Sequence, residues 1–284
     1  MAYRTRINPL GAPRQVGRRG ALRQTTFLRL EKNDALLTVE SALEVLLAKL
    51  LDLSNDVTEI QYQPCTIDIA HERLLLTHEA LQEHRTELKR AGLKGVFYTP
   101  DLRVTWKVAV GTTIELIEAK DAQWVPDHQD EYAHKLRCTQ QLLESVGARF
   151  GLYEANVRNL YRSPFASNIY KLHATKLRRQ DAMGTVSPDY LDYLHHREHW
   201  LTHLSDRGES TILELAESVG TTAWAVWHLL IDELASCDLT TAALGPNSTI
   251  CAVPPPGHAE AATVTPFRAA LLGMRNRTWE QAHV

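Results

Sequence analysis

Apolar residues along the first two thirds of the chain predict helices and strands in a mixed order. From residue 34 to about residue 53, leucines and valines recur at helical spacing and predict one amphipathic helix. Residues 57–69 are rich in β-forming residues and are divided at Pro64, which predicts two short strands meeting at a bend. The polar stretch 77–91 stops at Gly92 and predicts a surface helix.

Two stronger strands follow, over residues 101–110 and 113–120. Gly111 stands between them, so the pair predicts an antiparallel hairpin. Beyond the hairpin the pattern predicts a helix, a strand, and then one or two helices interrupted near a proline, over residues 130–146, 148–154 and 156–180. This part of the chain is therefore expected to be α/β, with a central sheet flanked by helices.

After Gly184 the pattern becomes all-helical, and residues 239–253 then predict a hairpin around Gly245. The helices at 210–219 and 221–235 are joined by Gly220 at the spacing of a helix-turn-helix, which the hairpin would complete as a winged helix. Four parts are predicted: a basic flexible arm at 1–25, an α/β domain at 26–183, a winged-helix-like domain at 184–253 and a tail at 254–284.

The net charge of the 284-residue chain is only -3, but it is distributed unevenly. Residues 1–30 carry seven arginines and no acid, residues 31–183 sum to -3, and residues 184–284 sum to -7. A basic arm, a near-neutral body and an acidic C-terminal region indicate different partners for each part.

Other classes of protein are disfavoured by simpler features. Neither a secretory signal nor an apolar run long enough to span a bilayer is apparent, so a cytoplasmic location is expected. The four cysteines lie far apart and form no CxxC pair, which favours core thiols over a zinc ribbon or a disulfide framework.

Candidate chemistry concentrates at one end of the predicted hairpin. Asp101 begins the first strand, while Glu118 and Lys120 lie near the end of the second and share a face through the period-2 alternation of a strand. Two carboxylates offer oxygen ligands to Mg²⁺, with Mn²⁺ as a possible substitute, and the lysine can orient or deprotonate an attacking water. The alternative is an ordinary cross-strand salt bridge.

Two further residues are candidates for the same site. Glu40 lies in the predicted first helix and offers a third carboxylate, whereas Glu44, one turn later, is expected to be a solvated helix residue. Gln63, in the sequence EIQYQP, offers a neutral amide to a phosphate or to a bound water, and an exposed strand-edge glutamine is an equal alternative.

Taken together, these motifs resemble the PD-(D/E)xK nuclease superfamily, and more narrowly the TnsA endonuclease subunit of Tn-seven-type heteromeric transposases. The narrower resemblance covers residues 30–250 and rests on the order VESALE, VTEIQYQP, YTPDLRVTW and LIEAK, followed by the predicted winged-helix-like domain. It implies a restriction-endonuclease-like α/β catalytic domain in which Glu40, Asp101 and Lys120 match the catalytic residues. Glu118 stands two positions before the lysine, where TnsA proteins can carry Gln.

The resemblance also implies an activity and partners. A TnsA-like protein would use Mg²⁺ to cleave the 5′, non-transferred strands of double-stranded DNA at transposon ends, while the DDE-type transposase subunit TnsB cuts and joins the 3′ ends. The C-terminal domain would engage TnsC, the AAA+ ATPase regulator.

The stretch 155–180 has basic residues, interleaved aromatic residues and no acid, which suits contacts with DNA phosphates. Its candidate DNA-binding residues are Arg158, Arg162, Lys171, Lys176, Arg178 and Arg179. A solvated linker helix is the alternative.

The predicted second helix of the helix-turn-helix, 221–235, carries two acids and neither Lys nor Arg, so it is not expected to read bases. Trp224 and Trp227 instead indicate core packing and a candidate apolar surface for a protein partner.

Two other functions remain open from the sequence. A stand-alone PD-(D/E)xK nuclease, of the restriction or junction-resolving kind, would cut DNA without partners. A non-catalytic adaptor bridging DNA and an ATPase would bind DNA but hold no metal.

Overall fold

The computed structural model describes residues 26–123, 129–180, 184–253 and 266–275. The predicted basic arm, residues 1–25, lies outside these ranges. The chain divides into two compact units, of which the first comprises Met1–Ala48, Asp56–Asn156 and Met274–Val284, and the second Lys49–Asn55 and Val157–Gly273. This division falls after Asn156, whereas the sequence placed a domain boundary after residue 183.

The first unit contains nine strands and three helices among its described residues, one of which also supplies residues to the second unit. They are β1 (Thr26–Leu30), β2 (Asn33–Val39), α1 (Ala42–Leu53), β3 (Val57–Tyr62), β4 (Thr66–Asp68), β5 (Arg73–Leu75), α2 (His78–Ala91), β6 (Phe97–Tyr98), β7 (Leu102–Lys107), β8 (Thr112–Asp121), α3 (Gln129–Ser145) and β9 (Arg149–Ala155).

A four-stranded mixed sheet in the order β3-β7-β8-β9 forms the centre of the first unit. β3, β7 and β8 pair antiparallel, and β9 pairs parallel to β8. Because β8 is buried continuously from Glu115 to Ala119, both of its faces are covered. The expected hairpin, with Gly111 in the turn at φ +85°, is confirmed, as is the α/β class with helices flanking the sheet.

The helix predicted from residue 34 to residue 53 is wrong in its first part. Asn33–Val39 forms β2, which pairs antiparallel with β1, and α1 begins only at Ala42. Leu36 is exposed, whereas Leu37 and Val39 are buried, so these apolar residues follow the period of a strand. Apolar residues at this spacing fit both periods, and pairing with β1 favours the strand.

A smaller sheet, in the order β5-β4-β6, lies between β3 and β7 in the sequence. A 3₁₀ turn over Ile69–His71 follows β4, and α2 follows β5. The Thr77 side chain caps the start of α2, and Gly92 ends it at φ +68°, a left-handed conformation that favours glycine. Both the bend after β3 and the surface helix were predicted.

The second unit is mainly helical. Besides the end of α1, its elements are α4 (Val157–Arg162), α5 (Pro164–Leu177), α6 (Pro188–Arg207), β10 (Glu209–Thr211), α7 (Ile212–Val219), α8 (Ala223–Ile231), β11 (Ala235–Ser236), β12 (Thr249–Ala252) and all but the last residue of α9 (Pro266–Met274). The three strands form an antiparallel sheet in the order β10-β12-β11.

The hairpin predicted around Gly245 is absent from residues 239–253. β12 is the one strand in this range, and it pairs with β10 and β11 instead. Asp238, just before the range, accepts hydrogen bonds from the backbone of Thr240 and Thr241, which favours a turn over a strand.

Helix α9 lies within the tail for which no element was predicted, and it buries Phe267 and Leu271. The rest of that tail, 254–265 and 276–284, lies outside the described residues. In the described parts of the chain, no helix combines the length and the apolarity needed to cross a membrane.

Candidate active site

Asp101 directly precedes β7 and is tied to β8 through both its backbone and its side chain. Its amide donates to the carbonyl of Ile117 at 3.0 Å, and its Oδ2 accepts from the amide of Ala119 at 2.8 Å. The register, in which Leu102 pairs with Ile117, places Asp101 beside Glu118. The structure therefore brings these two predicted carboxylates together.

Glu118 is only 3% exposed, and three side chains contact its carboxylate. Oε2 accepts a hydrogen bond from the Tyr98 hydroxyl at 2.6 Å, and Oε1 accepts one from the Tyr132 hydroxyl at 2.9 Å. Lys120 Nζ lies 2.5 Å from Oε1. These charge-assisted contacts offset the cost of burying the charge. Sequence reasoning did not identify Tyr98 or Tyr132, which approach from β6 and α3.

The ammonium group of Lys120 stays charged in this environment. Burial lowers the pKa of Lys120, but the carboxylates of Glu118 and Asp101 outweigh burial, and the pKa rises above its ordinary value. A lysine held as a cation can orient a water or stabilise a phosphate, whereas deprotonating water requires the neutral amine. Of the two roles considered from the sequence, the electrostatics of the metal-free site favour positioning.

Asp101, unlike Lys120, is in an environment that disfavours its charged form. Burial, together with the charges of Glu118 and Glu44, raises the pKa of Asp101 well above its ordinary value, despite the opposing effects of Lys120 and the Ala119 amide. An ionised Asp101 is thus unfavourable unless a further cation is present. A cluster of this kind, with a strongly perturbed carboxyl, is typical of functional sites.

The acidic residues near α1 are arranged differently from the prediction. Glu40 lies before the helix rather than inside it, and its amide donates to Glu44 Oε2 at 3.1 Å. Glu44 was expected to be solvated, but it is buried and also accepts from the Tyr62 hydroxyl at 2.8 Å. Glu40 lies outside the helix because the Ser41 side chain accepts a hydrogen bond from the backbone amide of Glu44 and so caps the start of α1.

Gln63 is buried beside Asp101, so the exposed strand-edge alternative is excluded for it. Its backbone amide donates to the backbone carbonyl of Asp101 at 2.8 Å, and its φ of +45° is unusual for a residue other than glycine. Its side-chain Oε1 is buried without a hydrogen-bond partner. Strain and an unsatisfied acceptor at one residue are features of functional sites.

Three of the six predicted DNA-binding residues of the second unit are engaged within that unit. Lys176 is 4% exposed and donates to the carbonyl of Asp52, so it does not face solvent. Arg179 pairs with Asp232, and Lys171 donates to the carbonyl of Leu244. The other three, Arg158, Arg162 and Arg178, are exposed.

The two predicted partner-binding tryptophans differ in exposure. Trp227 is buried in α8, as core packing predicts, whereas Trp224 is 43% exposed and stacks obliquely on it at 4.4 Å between ring centroids. Only Trp224 is therefore available to a partner.

A compact arrangement of metal-ligand atoms occurs elsewhere in the first unit. Among the described residues, one group of three or more His, Cys, Asp or Glu side chains places its ligand atoms within 4.8 Å of one another, namely Asp68, His71 and His84. Glu40, Asp101 and Glu118 do not form such a group. Sequence reasoning missed the Asp-His-His group, although D-x₂-H-x₁₂-H is visible as a spacing.

Comparisons with protein-family models and with curated proteins found no match for this chain.

Proposed function

We propose that the protein is a metal-dependent DNA endonuclease of the PD-(D/E)xK type, similar to TnsA, that cleaves the 5′ strands at transposon ends together with a DDE transposase. The observation that carries the proposal is the placement of Asp101 beside the Glu118–Lys120 ion pair, through its hydrogen bond with the Ala119 amide, at one end of β7 and β8. The order of these three residues along the chain, and their positions on adjacent strands, support the resemblance to PD-(D/E)xK nucleases.

The residues fit Mg²⁺ or Mn²⁺. Both ions prefer oxygen ligands, and Asp101 and Glu118 supply carboxylates whose mutual repulsion a divalent cation would relieve. The unpaired Oε1 of Gln63 is a neutral oxygen beside the same aspartate. The third carboxylate would come from the segment before and into α1, where Glu40 is the predicted ligand and Glu44 is the acid whose charge acts on Asp101.

The chain's own side chains account for orientation and charge. When bound, the metal supplies Lewis-acid stabilisation of the scissile phosphate. Lys120, held as a cation, would orient the attacking water and stabilise negative charge developing on the phosphate. Tyr98 and Tyr132 hold Glu118 in place, so this carboxylate cannot rotate away from Asp101.

For the second unit we propose a winged-helix-like domain spanning residues 184–253. The order α6, β10, α7, α8, β11, β12 and the three-stranded antiparallel sheet support this fold. Its acidic charge and the exposed Trp224 favour a protein partner over DNA, and the TnsC-type ATPase is the partner that the resemblance suggests.

The proposed role in transposition is tested by mapping strands. A DNA fragment carrying a transposon end, labelled on either strand, is incubated with the protein, the transposase partner and Mg²⁺. We expect the protein to be required for cleavage of the 5′ strand alone, and Asp101→Ala to abolish that cleavage while 3′ cleavage persists. Equal 5′ cleavage with Asp101→Ala would reject the proposal, and cutting without the partner would favour a stand-alone nuclease.

A further inference from the structure

Asp68, at the end of β4, is fully buried and uses its two carboxylate oxygens differently. Oδ1 accepts from the amides of Ala70 at 3.2 Å and Val96 at 3.0 Å. Oδ2 instead faces two imidazoles, with His71 Nδ1 at 2.8 Å and His84 Nε2 at 2.7 Å. The backbone therefore fixes the carboxylate and leaves Oδ2 to the two histidines.

The three side chains come from separate elements and converge on one point. Asp68 ends β4, His71 lies in the 3₁₀ turn and His84 lies in the middle of α2. Gly95 makes room for them, because a Cβ at that position would lie 2.9 Å from Asp68 Oδ2 and 2.6 Å from the Phe97 ring. His84 is 4% exposed and His71 is 28% exposed on its side chain, so the group is reachable from solvent only through His71.

We propose that Asp68, His71 and His84 bind one Zn²⁺ ion, separate from the proposed catalytic metal. Two imidazole nitrogens and one carboxylate oxygen suit Zn²⁺, whereas Mg²⁺ prefers oxygen ligands alone. The hydrogen bonds from Ala70 and Val96 supply the outer contacts that orient a ligating carboxylate. Water takes the fourth position, on the side of His71.

Binding requires a small movement. Tetrahedral Zn²⁺ with bonds of about 2.0–2.1 Å holds its ligand atoms about 3.3 Å apart. The present separations of 2.7 Å and 2.8 Å must therefore open by about half an ångström. The 3₁₀ turn that carries His71 lies at the surface and can supply the movement of His71. Opening the 2.7 Å separation requires a small rotation of the His84 ring, because backbone amides hold Asp68 in place.

The tautomer of His84 provides a specific signature. Its Nδ1 lies 3.0 Å from Arg73 Nη1 and 3.6 Å from Glu87 Oε2. Without metal, Arg73 donates to Nδ1, and Nε2 carries the proton toward Asp68. When Zn²⁺ occupies Nε2, that proton moves to Nδ1, where Glu87 accepts it, and Arg73 keeps only its 3.0 Å contact with Glu87. Arg73 thus competes with the ion.

The site would be structural. One ion would join the β4 end, the 3₁₀ turn and α2, which together form much of the segment between β3 and β7. This inference does not depend on the proposed nuclease activity, since none of its three ligands belongs to the proposed catalytic set.

The test measures Zn²⁺ binding to the full chain without an affinity tag, by calorimetry and by metal analysis after dialysis. His71→Ala is the informative variant because His71 is partly exposed. The matched control is His134→Ala, which removes an exposed histidine that lies 3.6 Å from the Cys138 thiol, the kind of pair that binds zinc adventitiously. Circular dichroism verifies that each variant is folded.

We expect one Zn²⁺ per chain in the unaltered protein and in His134→Ala, affinity at least about tenfold weaker in His71→Ala, and tighter binding in Arg73→Gln. No stoichiometric binding, or equal affinity in His71→Ala, overturns the proposal. If His71→Ala does not fold, ¹⁵N NMR of the unaltered chain decides. Zn²⁺ must then convert His84 Nε2 from a protonated to a metal-bound nitrogen, and an unchanged ring overturns the site.

Discussion

The Oδ2 atom of Asp101 accepts a 2.8 Å hydrogen bond from the amide of Ala119, the residue that separates Glu118 from Lys120 in β8. This single contact holds the carboxylate that precedes one strand against the acid and the lysine of the next. Because the donor is a backbone amide of β8, the position of the Asp101 carboxylate relative to Glu118 and Lys120 follows from the register of the sheet.

Metal-free stability should depend on pH through Asp101. Its folded pKa is raised well above the ordinary value of 3.8, so the stabilisation from its bound proton is fully present below that pH and is lost as pH rises through the folded pKa. Asp101→Asn cannot titrate, and Asn still accepts from Ala119. We expect the unfolding free energy of the unaltered protein to fall relative to Asp101→Asn as pH rises from about 4 to about 8.

Chemical denaturation without divalent metal measures both proteins. A difference in unfolding free energy that stays constant over this pH range would show that the folded-state pKa of Asp101 is not raised. Added Mg²⁺ should stabilise the unaltered protein and leave Asp101→Asn nearly unchanged, because the variant lacks one of the proposed ligands.

Mn²⁺ should bind at Asp101 and Glu118. Electron paramagnetic resonance counts bound Mn²⁺ directly, and we expect binding to weaken at least about tenfold in Glu118→Gln. Glu59→Gln is the matched control because Glu59 lies on β3, on the same sheet, and pairs with Arg103 at the surface. Equal binding in all three proteins would show that Mn²⁺ does not bind at Glu118, and no binding to the unaltered protein would favour the non-catalytic adaptor.

The two tyrosines should act through Glu118. Tyr98→Phe and Tyr132→Phe each remove one hydrogen bond to a buried carboxylate, which costs about 1.5–3 kcal/mol of folding free energy. We expect both variants to need more Mg²⁺ for half-maximal cleavage, with a smaller change at saturating metal. Thermal denaturation and a Mg²⁺ titration of activity separate these effects, and an unchanged Mg²⁺ requirement would deny them a positioning role.

Substitution of an exposed basic residue of the second unit should affect DNA binding, whereas substitution of a buried one should affect stability. Arg178→Gln should weaken DNA binding and reduce the slope of its salt dependence by about 1, because the residue is exposed. Lys176→Gln should instead lower the unfolding free energy by about 3 kcal/mol, since its partner Asp52 is buried. Equal loss of DNA binding in both folded variants would contradict this division.

The hairpin that carries the candidate site was predictable because its strands alternate and Gly111 marks the turn. Tyr98 and Tyr132 were not, since their contacts with Glu118 depend on the packing of β6 and α3. Leu36, Leu37 and Val39 fit both helical and strand periods, and only pairing with β1 decides between them.

The sequence also did not show which charged side chains are paired within the fold. Lys176 lies in a basic stretch that reads as a solvated face, yet its partner Asp52 is 124 residues away in the chain. Asp68, His71 and His84 are separated by β5 and part of α2, so their convergence depends on the fold of the intervening chain. Local patterns predict elements, and long-range contacts determine which charges are free.

The proposed endonuclease activity is tested most directly by the nicking of supercoiled plasmid that carries transposon ends, with the protein, its transposase partner and Mg²⁺ present. We predict nicking by the unaltered protein and by Glu59→Gln, and a loss of at least about a hundredfold in both Asp101→Asn and Lys120→Gln. Nicking at the unaltered rate by both folded variants would show that Asp101 and Lys120 are not catalytic residues.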